Sequence, residues 1–347
     1  MRIADQSARL KVSPTLAPRG TVRVWADSAP RDATTAKALL GGLGLDPTDF
    51  ETQPLVFDPV ISHSHEGGLC KKIKDGTAAA LVNARLAAAL NRTGALLAQG
   101  NCKRGLQAVL GGGSAPPLQD IAGSVTEKGV LVGGPYIASE ITSTFMMQLG
   151  SDSPSTVPAW GRFGGNRSAQ LLSYLQLHYF GRSVQYRDET IAARYGSNLL
   201  AHVLLFLRGD NSTGAAGKNE TAFFVGHDGN MDDLAAMLGL QWDAAPYGSC
   251  TADCCLDRAG SEWSPTPPGS MLRFDVAPSL TEKGATVVRA TFVYTSVAGQ
   301  NGELLVSPVN FGSQAAAPKT PQNEMPFAQF EVLGNASLVQ ECISLQL

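Results

Sequence analysis

The apolar positions fall into short alternating runs and longer runs at helical spacing. Residues 20–27 (Gly-Thr-Val-Arg-Val-Trp-Ala-Asp) follow a Pro-Arg-Gly turn with β-branched and aromatic side chains, which predicts a strand. Residues 32–45 repeat apolar side chains every three or four positions and end in glycines, which predicts a helix. Residues 46–70 read as irregular. An alanine-rich stretch from 77 to 99 predicts a helix, as do residues 129–150, 166–184 and 189–209. Residues 221–228 (Thr-Ala-Phe-Phe-Val-Gly-His-Asp) predict a strand, and 230–240 the helix after it. Residues 270–278, 285–296 and 302–309 read as late strands, and 327–343 as a closing helix.

The order is strand-helix, then mostly helices, then strand-helix and further strands. It predicts a discontinuous α/β domain over residues 1–72 and 191–347, with an inserted helical domain at 73–190. In open α/β sheets ligands bind beyond the carboxyl ends of the strands. The loop 27–31 and the pair His227–Asp228 both follow predicted strands, so both are expected to face one crevice. A His-Asp pair at a strand end suits positioned catalysis; it equally suits a helix cap, with Asp228 serving the first turn of the next helix.

Composition narrows the field. The chain has 347 residues, 44% hydrophobic and 16% charged, with a net charge of -3. That balance, with a pI near 6.0, offers no general attraction for nucleic acid or an anionic membrane. Six cysteines (Cys70, Cys102, Cys250, Cys254, Cys255 and Cys342) and five Asn-x-Ser/Thr sequons (Asn91, Asn166, Asn211, Asn219 and Asn335) favour an oxidising, secretory compartment. Residues 1–14 carry scattered charges and no apolar core, so they do not read as a signal peptide.

The stretch 225–242, Val-Gly-His-Asp-Gly-Asn-Met-Asp-Asp-Leu-Ala-Ala-Met-Leu-Gly-Leu-Gln-Trp, closely resembles the second signature of the histidine acid phosphatases, in the branch of bacterial phytases and glucose-1-phosphatases. The segment with Ala26, Asp27, Arg31 and Thr35 resembles that family's Ala-Asp-x-x-x-Arg-x-x-x-Thr motif. Ala-Trp-Gly-Arg at 159–162, residues 171–180 and 186–200, and Pro-Pro-Gly-Ser-Met-Leu-Arg-Phe-Asp at 267–275 resemble later family segments in the family's order. The resemblance implies a phosphoglycerate-mutase-like three-layer α/β fold and a metal-free phosphomonoesterase acting on a small phosphorylated substrate through a phosphohistidine. It implies that Arg31 clamps phosphate, that His227 adds a second phosphate contact and that Asp228 protonates the leaving alkoxide. Asp27, His178 and, one residue out of register, Arg194 match positions lining the substrate pocket, and Asn230 would orient the His-Asp turn. It also implies a Cys70–Cys342 disulfide and no cofactor, and it leaves oligomeric state open. Fixed cations around a phosphoryl group and a placed acid beside a poor leaving group suit that reaction.

The family's first signature, Arg-His-Gly-x-Arg-x-Pro, supplies the nucleophile and two further arginines. No Arg-His-Gly occurs in these residues, and the five histidines are His63, His65, His178, His202 and His227. The expectation is an N-terminally incomplete secreted phosphatase, missing its first strand, inactive as it stands and poorly soluble, with a catalytically dead phosphate-binding homologue as the alternative. Gly229 stands where the family's phytases commonly carry threonine, and Ser143 stands where the family often has glutamate. Both departures weaken a specific substrate assignment. The cluster His63, His65, Glu66 and Cys70 lacks a recognised zinc spacing, and Cys250, Cys254 and Cys255 read as a local disulfide. The glycine-rich stretches lack the Gly-Lys-Ser/Thr of a phosphate loop. The pair Met146–Met147 reads as core.

Overall fold

The computed structural model describes residues 21–58, 124–125, 131–149, 162, 189–209, 220–244, 265–295, 304–312 and 323–345. Its first layer is a parallel three-stranded sheet. Strand β1 (Thr21–Ala26) pairs on one side with β2 (Glu51–Thr52) and on the other with β5 (Glu220–Val225), in register from Thr21↔Glu220 to Ala26↔Val225. Helix α1 (Pro30–Gly42) follows β1, and a one-turn helix α2 (Pro54–Phe57) follows β2. Strands β3 (Ser124–Val125) and β4 (Leu131–Val132) form a small antiparallel pair ahead of helix α3 (Gly134–Leu149). Helix α4 (Glu189–Arg208) precedes β5, and helix α5 (Asp228–Leu238) follows it.

The second sheet is antiparallel. It contains β6 (Leu240–Trp242), β7 (Met271–Pro278), β8 (Thr286–Thr295), β9 (Leu304–Phe311) and β10 (Glu324–Pro326), in the order β10-β8-β9-β6 with β7 also on β8. Helix α6 (Phe327–Ala336) and a 3-10 turn (Gln340–Cys342) close the described chain. No helix among the described residues is long and apolar enough to cross a membrane.

Strand alternation divides the core between the two faces of the parallel sheet. Val24, Ala26 and Val225 point to one face and meet Ala36 and Leu40 of α1. Trp25 points to the other and stacks on Phe224, with ring centroids 5.2 Å apart; Phe224 in turn meets the edge of Phe57 at 6.1 Å. The Trp25 side is continuous with a larger core built from α3 to α6 and the second sheet, including Phe145, Leu200, Leu204, Leu234, Phe292 and Phe330. Burying each such large side chain stabilises by roughly 1.5–3 kcal/mol.

Several expectations are revised. Residues 46–70, read as irregular, contain β2 and α2, whose brevity leaves no period to detect. Helix α5 starts two residues earlier than expected and stops at Gly239, whose φ of 64° ends the helix and frees Leu240–Trp242 to pair with β9. The closing helix ends at Ala336 rather than running to 343. Met146 is core, but Met147 is exposed. The division at 73–190 and the alanine-rich helix fall mostly outside the described residues.

Helices α4 and α5 approach closely at Gly196. A Cβ there would lie 2.8 Å from Met237 Sδ and 3.0 Å from Asp233 Cβ. Gly196→Val is therefore expected to lower stability by about 1–3 kcal/mol through overpacking. Gly41→Ala, whose Cβ would meet only Pro47 at 4.0 Å, should be neutral or stabilising by up to ~1 kcal/mol. Denaturant unfolding of the two variants checks the contrast, and equal effects would refute the close approach.

Candidate active site

The in-register pairing of β1 with β5 brings the next residues of each strand to one sheet edge. The ladder runs one step further, with Asp27 N donating to Val225 O at 2.9 Å. Beyond it, β1 turns through Ser28 and Ala29 into α1, and β5 turns through Gly226 and His227 into α5. Both turns lie at the carboxyl end of the sheet, where open α/β sheets hold their ligands.

Arg31 and His227 meet there. Arg31 Nη2 lies 3.0 Å from His227 Nδ1. A guanidinium has no acceptor, so Nδ1 accepts this bond and the ring proton resides on Nε2. Nε2 faces two carboxylates, 3.2 Å from Asp27 Oδ2 and 3.3 Å from Asp32 Oδ2. Asp27 Oδ1 is already engaged by the backbone and hydroxyl of Ser28. Asp27 and Asp32 are buried, 7% and 4% exposed, whereas Arg31 is on the surface. Burial raises the Asp32 pKa above its ordinary value, His227 and Arg31 oppose that, and Asp27 adds to it.

The turn that presents His227 is held from behind. Asn230, in the first turn of α5, accepts from His227 N at 2.8 Å and donates to Phe57 O at 2.9 Å, tying the turn to α2. Gly226 is required by that closeness: a Cβ there would lie 2.5 Å from Asn230 Oδ1 and 2.9 Å from Phe57 Cδ1. Asn198 of α4 continues the support, donating to Leu55 O and accepting from Ser344 N at 2.6 Å. Asp228 is the first residue of α5, where an acidic side chain suits the helix dipole, and its Oδ1 accepts from Gly229 N at 2.9 Å.

The structure thus brings together Asp27, Arg31, His227, Asp228 and Asn230. Arg194 is different: its guanidinium pairs with Glu341 at 3.1 Å, a structural partner that the sequence did not suggest. His178 and Cys70 lie outside the described residues. Cys342 is fully buried and disulfide-bonded, and the other five cysteines lie outside the described residues. His202 is buried on α4 and bonds Ser344 O at 2.9 Å, and burial lowers its pKa. Asp32 escaped the sequence reading. Its signal was present: Asp32, Ala36 and Leu40 form the buried stripe of α1, and a carboxylate on such a stripe asks for a partner.

No protein-family model and no curated protein matches the chain. Solved structures do. A phytase from Citrobacter braakii aligns with 95% of this chain and 81% of its own, at 22% identity and TM-score 0.65. The apo phytase of Hafnia alvei aligns with 93% of this chain and 80% of its own, at 22% identity and TM-score 0.70. The phytase of Klebsiella sp. ASR1 aligns with 93% of this chain and 77% of its own, at 16% identity and TM-score 0.68. The chain therefore has the α/β fold of the bacterial phytases.

Two expectations follow from the site's packing. Asn230→Ala removes both bonds that hold the His227 turn and should lower stability by about 1–3 kcal/mol; Asn230→Asp keeps the acceptor for His227 N and should lose less. Denaturant unfolding ranks the two, and the opposite ranking would overturn the assigned contacts. Asp233, deeper in α5, has its pKa raised well above the ordinary value by burial and by Asp232, Asp58 and Asp228. Its favourable contribution is complete below the unfolded-state value of 3.8 and is lost as pH rises through the folded-state value. Asp233→Asn is expected to raise the melting temperature at pH 7 and leave it nearly unchanged near pH 3; a loss at pH 7 would contradict this.

Proposed function

We propose that this chain is a phosphomonoester-binding protein of the histidine acid phosphatase type, with its phosphate site on the turns after β1 and β5. The observation that carries this reading is the meeting of Arg31 with His227 at 3.0 Å across 196 residues of sequence, at the carboxyl edge of a phytase-like sheet. A planar guanidinium beside an imidazole suits the equatorial oxygens of a phosphoryl group. Asp228, one residue on, is the proposed donor of a proton to the leaving alkoxide as the P–O bond breaks. Asn230 fixes the turn that carries both. Asp27 lines the same pocket, and His178 and Arg194 remain proposed substrate contacts on sequence position alone.

Phosphoryl transfer of the family's type also needs a nucleophilic histidine. In these residues His227 is the histidine at the described site and is committed to Arg31, while His202 is buried elsewhere. Arg-His-Gly-x-Arg-x-Pro does not occur in the 347 residues, which are proposed to bind phosphate esters with negligible turnover; a protein also carrying that motif would hydrolyse them. A Hafnia alvei phytase structure holds myo-inositol hexakis sulphate, and a small polyanionic ester is the ligand class proposed here. The buried, disulfide-bonded Cys342 and the five sequons support a secreted or periplasmic setting, and Cys70 is its proposed partner.

Calorimetric titration with inorganic phosphate or a phosphomonoester tests the reading. Arg31→Ala should weaken binding by roughly tenfold or more, the loss of one charge-assisted pair of about 1.5–3 kcal/mol. Unchanged affinity would refute the site. Phosphate release at the rate of an ordinary acid phosphatase, dependent on His227, would refute the absence of turnover.

A further inference from the structure

We propose that Asp27, Asp32 and His227 bind one divalent cation through Asp27 Oδ2, Asp32 Oδ2 and His227 Nε2. The three ligand atoms lie within 4.8 Å of one another. The imidazole nitrogen is 3.2 Å from one carboxylate oxygen and 3.3 Å from the other. Neighbouring ligands bound at about 2.1 Å to one ion sit roughly 3.0–3.4 Å apart, so these two separations already suit coordination.

A second observation is independent of that spacing. Asp32 is 4% exposed, and its Oδ2, 3.3 Å from His227 Nε2, has that one polar neighbour and no well-formed hydrogen bond. A buried carboxylate oxygen whose nearest donor is an imidazole N–H shared with a second carboxylate is left under-satisfied, and an ion is one of the few groups that resolves it. The local charge points the same way. Two buried carboxylates on the Nε2 side of the ring, against one guanidinium on the Nδ1 side, make that inner face favour a cation. A bound dication reverses that balance and, on the phosphate reading above, would let a phosphoryl oxygen complete its coordination; the cation site itself does not depend on that reading.

Two carboxylates and one imidazole suit Mn²⁺ or Zn²⁺ better than Ca²⁺, with positions left for water. Coordination through Nε2 moves the ring proton to Nδ1, which then no longer accepts from Arg31 and releases the guanidinium toward solvent.

Mn²⁺ titration of the full chain in phosphate-free buffer, followed by electron paramagnetic resonance and by thermal melting, tests the site. The expected result is one Mn²⁺ per chain, displaced by Zn²⁺, with a raised melting temperature. Asp32→Asn, which keeps the side-chain shape, should weaken binding at least tenfold, and Arg31→Ala should strengthen it, the reverse of its effect on phosphate. If Asp32→Asn fails to fold, Asp27→Asn serves in its place. No binding at millimolar Mn²⁺ overturns the proposal, as does equal binding by the wild type and the folded carboxylate variant, which would mark an adventitious ion only.

Discussion

The parallel pairing of β1 with β5 is the constraint from which the rest of this site follows. These strands are separated by almost two hundred residues, yet their register sets Ala26 against Val225, so that Asp27 and His227 emerge at one edge. Register is enforced by side-chain alternation rather than by the backbone ladder itself. A slip of one residue would turn Trp25 toward α1 and drive Val24 into the aromatic cluster with Phe224 and Phe57. The stacked pair Trp25–Phe224 adds roughly 0.5–1.5 kcal/mol beyond its burial. An apolar contact in mid-strand thus fixes the distance between polar groups several residues away.

Support behind the edge is denser than the edge itself. The absence of a side chain at Gly226 lets Phe57 and Asn230 close on the backbone of the turn, and Asn230 bonds both His227 and Phe57. Asn198 then links α2 to the carboxyl-terminal segment. The turn is consequently anchored through three separate stretches of chain. In front, the Arg31 side chain is exposed and reaches back over the imidazole. A fixed His-Asp turn facing a solvent-reachable arginine is a sensible division of labour, because the group that must reorganise on binding is the one with least packing to lose.

What the sequence disclosed follows the range over which its signals act. Strands β1 and β5 and helices α1, α4 and α5 carry their own periods, so they were legible. His227, Asp228, Asn230 and Arg31 were legible because a local motif surrounds each pair. The two-residue strand β2 and the three-residue strands β6 and β10 were not, since their pairing is decided by partners remote in sequence. Arg194 was assigned by position, but its ion pair with Glu341 is set by how α4 packs on the closing 3-10 turn, which no local pattern encodes. Asp32 was not legible for another reason: no motif surrounds it, and only its place on the stripe with Ala36 and Leu40 marks it as buried.

That neglected acid changes how the site's electrostatics must be understood. Arg31 and His227 alone would make a cationic cradle. With Asp27 and Asp32 behind the ring, the imidazole is instead a bridge, accepting from a cation at Nδ1 and presenting Nε2 to two carboxylates. In this resting arrangement Arg31 is engaged internally, so an anion must compete with Nδ1 for the guanidinium. For the proposed phosphate ligand the balance lies with the anion, whose charged oxygens make stronger bonds to arginine than a neutral ring nitrogen does. It is unfavourable for neutral ligands, which offer Arg31 nothing better than what it already has. On the proposed phosphate reading the filter is therefore the Arg31–Nδ1 bond, which a ligand must carry enough negative charge to displace, while the acidic floor opposes the anion and separates this site from a simple cluster of basic residues.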